Sequence, residues 1–151
     1  MVSNEQLVDA IEHISFEMNR YLRTARRIPL TKPYGEAVDE SCLLHSRNIG
    51  EFFFEHAKGD DDIRISHYYD TLISKKELED EIQKSKSEWK DYKKRVNKKL
   101  GHLTFSRINE VPMNMQEKNK LNFDVLIQLF EKNLPGHFRE KWERGKFIGG
   151  H

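Results

Sequence analysis

The stretch WKDYKKRVNKKLGHLTFSR, residues 89–107, decides how this chain folds. Its apolar residues recur at spacings of three and four, at Trp89, Tyr92, Val96, Leu100 and Leu103. That spacing is typical of an amphipathic α-helix that buries one face. Ser74 followed by Glu77 has the form of a capping box and marks the start of this helix, and Gly101 weakens its end. We therefore expect one long helix in the middle of the chain.

Two further helices are predicted before it. Ser3 and Gln6 form a capping-box pattern, and an apolar stripe follows, so the first helix should run from about residue 4 to about 27. Pro29, Pro33 and Gly35 interrupt the periodicity. A second helix is expected from about Glu36 to about Ala57.

Two helices are predicted after the long one. Asn114 and Glu117 are positioned to cap a fourth helix that bears Leu121, and Pro135-Gly136 ends it. A short last helix contains Phe138 and Trp142. Because no alternating run of strand length occurs, we predict an all-α fold: a four-helix up-and-down bundle with a short additional C-terminal helix. The single domain should span residues 1–146, with a flexible tail at 147–151.

The second helix carries three consecutive phenylalanines, Phe52 to Phe54, which all need to be buried. They span about 200° of a helical wheel, more than one inward-facing stripe can hide. The second helix should therefore be central in the fold. If it is not, Phe54 is an exposed apolar residue that marks a surface for homodimerisation or for a protein partner.

Composition excludes several functional classes. The 151 residues include 26 Lys and Arg against 25 Asp and Glu, so no global field draws the protein to nucleic acid or to an anionic membrane. The single cysteine, Cys42, excludes an intramolecular disulfide and is expected in the core. No long apolar run or signal-peptide pattern is present, which predicts a cytoplasmic protein without a membrane span.

Positive charge is nevertheless concentrated in one segment. Between Lys84 and Lys99 the sequence has eight basic residues and two acidic ones. Such a face is suited to an RNA backbone, with Trp89 and Tyr92 as stacking surfaces, although aromatic residues at stripe positions more often belong to the core. The candidate RNA contacts are Lys90, Lys93, Lys94 and Lys98.

Arg95 and His102 lie seven residues apart, which places them on one edge of a helix about 10 Å apart along its axis. This Arg-x6-His spacing resembles the motif of HEPN domains, helical proteins of many bacterial toxins and defence systems. The residue after the arginine is Val96, where that family favours a polar side chain. The resemblance implies a metal-independent endoribonuclease in which His102 transfers a proton, while Arg95 or Arg107 contacts the phosphate.

A second resemblance covers more of the chain. The segments Leu44–Asn48, Glu51–Phe53, Asp61–Ile63, Val96–Lys98 and Gly101–Thr104, with Arg107, are similar to a group of small bacterial all-helical proteins of uncharacterised function. That layout implies a polar cluster between the second and third helices, formed by His45, Arg47, Asp61 or Asp62, His102 and Arg107. A structural network of hydrogen bonds and ion pairs is the alternative.

No cofactor or metal site is predicted, since the chain has no H-E-x-x-H, C-x-x-C or E-x-x-H pattern and no phosphate-binding glycine loop. The run Asp60 to Asp62 could bind a divalent cation through its oxygens, but loop or cap residues are the more common use of such a run. Two functional hypotheses remain. One is a HEPN-like protein that binds or cleaves RNA, and the other is a non-catalytic helical interaction module.

Overall fold

The structure, a computed structural model, describes residues 2–26, 34–59, 62–101 and 121–148. These residues form five α-helices and no strand: α1 (Asn4–Arg26), α2 (Tyr34–Phe54), α3 (Lys76–Gly101), α4 (Phe123–Asn133) and α5 (Gly136–Phe147). A short 3-10 helix, Ile65–His67, lies between α2 and α3. The predicted all-α class is confirmed. Within the described ranges, no helix is both long enough and apolar enough to cross a lipid bilayer.

The start of α1 is fixed by local chemistry, as the sequence predicted. The Gln6 backbone N–H donates to Ser3 Oγ at 3.2 Å, and the Ser3 N–H donates to Gln6 Oε1 at 2.8 Å. This reciprocal pair satisfies two of the amide groups that a helix start leaves without partners.

The end of α2 comes earlier than the sequence predicted, at Phe54 instead of near Ala57. Beyond that residue the Lys58 N–H donates to Asp62 Oδ2 at 2.8 Å, and the Asp62 N–H donates to the Gly59 carbonyl at 3.2 Å. Ala57 lies between the helix end and these bonds and is exposed. Asp62 therefore acts as the loop or cap residue that the sequence favoured.

The start of α4 also differs from the expectation. Its N-cap is Asn122, whose side chain accepts a hydrogen bond from the Val125 N–H. Leu121, predicted within the helix, precedes it and is buried. The predicted cap at Asn114 and Glu117 lies outside the described residues.

The C-terminal helix α5 makes the most extensive helix–helix contact of the described chain, along α1. Ser15 Oγ donates to the Trp142 carbonyl at 2.6 Å, and Asn19 Nδ2 donates to the Lys146 carbonyl at 2.6 Å. Contacts that advance in the same direction along both helices mean that α1 and α5 run parallel. The additional helix is thus an integral part of the core.

Aromatic rings fill the centre of the molecule. Phe52 and Phe53 both meet Phe130 of α4 edge to face, with ring centroids 5.4 and 6.1 Å apart, and Tyr68 packs beside them at 6.0 Å from Phe52. Such pairs contribute beyond the area they bury. All three consecutive phenylalanines are buried, which confirms that α2 is central. Phe54 is only 8% exposed, so it does not offer the surface for a partner that a peripheral α2 would have given.

The crossing of α2 and α3 is set by one tryptophan. The Trp89 indole stacks on Phe54, with centroids 5.6 Å apart and planes inclined by 16°. It also occupies the space above Gly50, where an added Cβ would lie 2.0 Å from the ring. Deeper in the seam, the Ser46 and Tyr92 hydroxyls are 2.7 Å apart. Only glycine at position 50 lets α3 approach α2 this closely.

Two glycines give a test of this packing. At Gly145, which faces α1, an added Cβ would lie 2.2 Å from the Glu12 carbonyl oxygen, whereas at Gly136 nothing lies within 4 Å. We expect Gly145→Ala to destabilise the protein by about 1–3 kcal/mol because backbone must shift. The matched Gly136→Ala should be neutral or stabilise by up to about 1 kcal/mol. Urea unfolding followed by circular dichroism measures both; equal effects would show that α5 does not pack on α1 as described.

Candidate functional site

The outer edge of α3 carries a regular row of cations. Lys86, Lys90, Lys94 and Lys98 are all exposed and follow one another every four residues. On a helix this spacing places successive Cα atoms about 6 Å apart along the axis, and the row turns by about 120° in total along one side of α3. We call these four residues the lysine row. Of the predicted RNA contacts, Lys90, Lys94 and Lys98 belong to it.

Lys93, the remaining predicted RNA contact, has a different environment. Its ammonium group lies 3.2 Å from Oε1 of Glu51, which belongs to α2. It also contacts Oε1 of Glu55, the residue that follows α2. Trp89 Nε1 donates to the same Glu55 oxygen at 3.3 Å. Lys93 is therefore neutralised in the seam between α2 and α3, where its charge holds the two helices together instead of facing a phosphate.

The electrostatics of Glu55 reflect this pairing. Burial by itself raises the pKa of the Glu55 carboxyl, but the hydrogen bond and the positive charge of Lys93 outweigh it and hold the pKa below its ordinary value. Glu55 is thus ionised at neutral pH. Its negative charge is balanced locally and does not oppose the lysine row.

The aromatic residues of α3 are core residues. Trp89 and Tyr92 are 4% and 3% exposed, so neither offers a face on which a base could stack. Burial raises the pKa of the Tyr92 phenol to about 12, which keeps it protonated at neutral pH. The exposed face of α3 therefore offers charged side chains to a ligand, and neither Trp89 nor Tyr92 offers it an aromatic ring.

Arg95 lies on the other side of α3. It is half-buried and lines a cavity of about 260 Å³ together with Glu88, Asp91, Tyr92 and Leu121. Its Nε is buried and has no hydrogen-bond partner within the described ranges. Such a group is unusual, because buried donors are nearly always paired. Two carboxylates, those of Glu88 and Asp91, share this lining with the Arg95 guanidinium.

The other two residues of the predicted catalytic set, His102 and Arg107, lie outside the described residues. The structure therefore gives no distance from Arg95 to either side chain. Their assignment as proton-transfer and phosphate-binding groups remains a prediction.

The polar cluster predicted between α2 and α3 is not formed by its described members. His45 Nδ1 lies 2.8 Å from Glu17 Oε2, Arg47 Nε lies 3.2 Å from Glu51 Oε1, and Arg64 Nη2 lies 3.4 Å from Asp62 Oδ1. Residues two apart on a helix point about 200° away from each other, so His45 faces α1 and Arg47 does not. Asp61 lies outside the described residues.

Glu17 is the polar residue that the sequence reasoning missed. Its Oε2 accepts from His45 Nδ1 and, at 3.0 Å, from Asn48 Nδ2. The only sequence signal was a carboxylate beside the apolar stripe of α1. That signal does not predict that Glu17 pairs with His45, which lies 28 residues further along the chain.

No group of three or more His, Cys, Asp or Glu side chains in the described part of the chain is arranged to hold a metal ion. Comparison with known proteins found no family model that matches the chain, and no curated protein or solved structure matched it significantly. Nothing in these comparisons bears on the resemblance to HEPN domains. The fold and the site define an all-α protein with a cationic helix edge, and its function must be argued from its own residues.

Lys93 and Lys94 are neighbours with different environments, and this difference can be measured. We expect Lys93→Gln to lower the free energy of unfolding by about 1.5–3 kcal/mol, because two carboxylates lose a charged donor. The exposed Lys94→Gln should change it by less than about 0.5 kcal/mol. Urea unfolding of the two variants measures the contrast, and equal losses would contradict the assigned role of Lys93.

The same pair predicts a pH dependence. Because the pKa of Glu55 is lowered on folding, the unfolded chain takes up its proton first as the pH falls. The stabilisation by the pair is therefore complete above the ordinary glutamate value of 4.5 and is lost as the pH drops through the lowered value. The stability difference between wild type and Lys93→Gln should be constant near neutral pH and shrink below 4.5.

Proposed function

We propose that this all-α protein binds RNA through the lysine row of α3. The observation that carries the proposal is the row itself: Lys86, Lys90, Lys94 and Lys98 are exposed at regular spacing on one helix edge. Two carboxylates that face α3, Glu51 of α2 and Glu55 just after it, are engaged by Lys93. The row therefore presents positive charge although the whole chain carries a net charge of only +1.

The chemistry of the row favours the nucleic-acid backbone. Its spacing of about 6 Å is close to the separation of neighbouring phosphates along an RNA strand, so several contacts can form at once. Lysine binds phosphate as a flexible point charge and reads no sequence by itself. Since Trp89 and Tyr92 are buried, base stacking by these residues is not available. We therefore expect recognition of shape and backbone, as in structured RNA.

Electrostatic binding of this kind depends steeply on salt. About four phosphate contacts release about four counterions, so the affinity should fall roughly 50- to 150-fold between 50 and 200 mM salt. Each lysine removed from the row should reduce the slope of log affinity against log salt by about one. A variant that loses a phosphate contact has a smaller slope, whereas a variant that is partly unfolded binds more weakly with the slope unchanged.

We also propose the up-and-down order of the four principal helices. Three pairings support it: α1 meets α2 through Glu17 and His45, α2 meets α3 through Gly50 and Trp89, and α3 meets α4 where Lys132 Nζ lies 3.1 Å from Glu77 Oε2. In this order each helix packs beside its neighbour in sequence.

Cleavage of RNA is the second candidate function. One described feature favours it: Arg95 Nε is buried without a partner beside an open cavity, and a guanidinium in that state gains from an anionic ligand. On the HEPN-like interpretation His102 is the general acid or base and Arg107 a second phosphate contact. The lysine row would then dock the RNA.

Binding is tested with two matched triple variants. Lys86→Gln/Lys90→Gln/Lys94→Gln removes three charges from the row. Lys84→Gln/Lys132→Gln/Lys141→Gln removes three charges elsewhere, each from a lysine that pairs with a carboxylate. In fluorescence anisotropy with a labelled RNA hairpin, the first variant should lose most of the affinity and reduce the salt slope by about three, whereas the second retains the slope.

Three results would contradict the RNA-binding proposal. They are the absence of binding at 50 mM salt, an unchanged slope in the first variant, and an equal loss in the control variant. Thermal unfolding of both variants shows whether each is folded. Five of the six lysines are exposed, and the sixth, Lys141, is half-buried. Both variants should therefore unfold near the wild-type temperature.

Cleavage is tested separately, in EDTA, with mixed RNA as substrate. If the HEPN-like interpretation holds, the wild-type protein cuts RNA, and Arg95→Ala and His102→Ala each lower the rate at least about a hundredfold. Lys98→Ala serves as the control, since it should weaken binding and leave the rate at saturating RNA unchanged. Inactive wild type that still binds the hairpin would exclude cleavage and leave the binding proposal intact.

A further inference from the structure

A second cavity, of about 230 Å³, lies between α1 and α2, away from the edge that bears the lysine row. Most of its lining is apolar, with Met18, Ile49 and Phe52 buried at its base. Ala10, Ile14 and Ile63 complete the apolar wall. His13 and Asn48, both exposed, form the part of the lining that reaches solvent.

One carboxylate interrupts this apolar lining. Glu17 is half-buried in the wall, and both hydrogen bonds that the described residues make to it, from His45 and Asn48, end on Oε2. Its other oxygen, Oε1, is thus left for another donor. Burial by itself raises the pKa of Glu17, but the hydrogen bonds from His45 and Asn48 outweigh it and hold the pKa below its ordinary value.

An ionised carboxylate at the edge of an apolar cavity selects the charge of a ligand. An anion would be repelled, and a purely apolar molecule would leave the carboxylate partly desolvated without a new partner. A cation with an apolar body satisfies both parts of the lining, because charge-assisted hydrogen bonds are the stronger ones. The Glu17–His45–Asn48 arrangement holds the carboxylate in place before any ligand arrives, which lowers the ordering cost of binding.

We propose that the cleft between α1 and α2 binds a small amphipathic amine. Its ammonium group pairs with Glu17, and a single ring or a branched alkyl chain lies on Met18, Ile49 and Phe52. The size of the cavity sets this class of ligand. It exceeds the roughly 150 Å³ that accommodate a benzene ring in an apolar cavity and is smaller than the usual pocket for a drug-sized molecule. A peptide segment would need a longer groove.

The proposal is tested with three probes that share a phenylethyl group, titrated into the protein and followed by two-dimensional NMR. They are 2-phenylethylamine, 2-phenylethanol and 3-phenylpropanoate, which are cationic, neutral and anionic near pH 7. We expect the amine to bind about ten- to a hundredfold more tightly than the alcohol, the ratio that one charge-assisted hydrogen bond provides. The anion should bind more weakly than the alcohol.

Three variants separate charge from shape. Glu17→Gln keeps the size of the side chain and one oxygen that can accept from His45 and Asn48, but it removes the charge and replaces the other oxygen with an amide NH2. It should therefore reduce amine affinity about ten- to a hundredfold and leave alcohol affinity within about twofold. Ala10→Leu fills the cavity and keeps the charge, so both ligands should lose binding. Asp9→Asn is the matched control, because Asp9 pairs with Lys141 at the surface and does not line the cavity.

Each outcome decides the proposal. Loss of the amine preference in Glu17→Gln, together with loss of both ligands in Ala10→Leu and no change in Asp9→Asn, supports it. Amine affinity that stays at the wild-type value in Glu17→Gln overturns it, as does amine binding that persists in Ala10→Leu. Equal affinity of the wild type for the three probes, or its failure to bind any of them, also overturns it. If Glu17→Gln does not fold, Ala10→Leu and the comparison of probes still decide.

Discussion

The stacking of Trp89 on Gly50 and Phe54 is the contact on which the rest of the structure depends. The indole fills the space that a side chain at position 50 would need, so α3 lies directly against α2. This close approach covers Phe54 on one side of α2, while Phe130 of α4 covers Phe52 and Phe53 on the other. A helix with three consecutive phenylalanines can be buried only when neighbours pack on more than one face, and this crossing provides the first of them.

The same crossing determines which charges remain available at the surface. It brings Lys93 onto Glu51 and Glu55, where buried or half-buried ions need partners. The lysines of the row lie outside that seam and are exposed. On the opposite side of α2, Glu17 is surrounded by apolar residues and held by His45 and Asn48. A chain with a net charge of only +1 thus has a cationic row on α3 and a carboxylate in the cleft between α1 and α2.

The local excess of basic residues pointed to three members of the lysine row, Lys90, Lys94 and Lys98, but not to the different role of their neighbour Lys93. These three lysines are exposed. Lys93 shares their chemistry and was predicted with them, yet it faces α2, since helical geometry turns each successive residue by 100°. The polar cluster that includes His45 was expected between α2 and α3 from the resemblance to small bacterial helical proteins, whereas His45 pairs with Glu17 of α1. Which carboxylate a side chain meets depends on the neighbouring helix, and the sequence does not say which helix that is.

The sequence by itself determined the all-α class, the capping box of Ser3 and Gln6, and the amphipathic helices, because these follow from contacts within a few residues along the chain. The tertiary structure alone decided that α5 lies parallel to α1, that Asn122 begins α4, and that Glu17 pairs with His45. The first and third of these features join residues far apart in the chain. The second depends on which of two possible capping residues, Asn114 or Asn122, begins the helix. Packing makes that choice. The free energy gained by burying the aromatic core is larger than the free-energy differences between alternative caps and ion pairs.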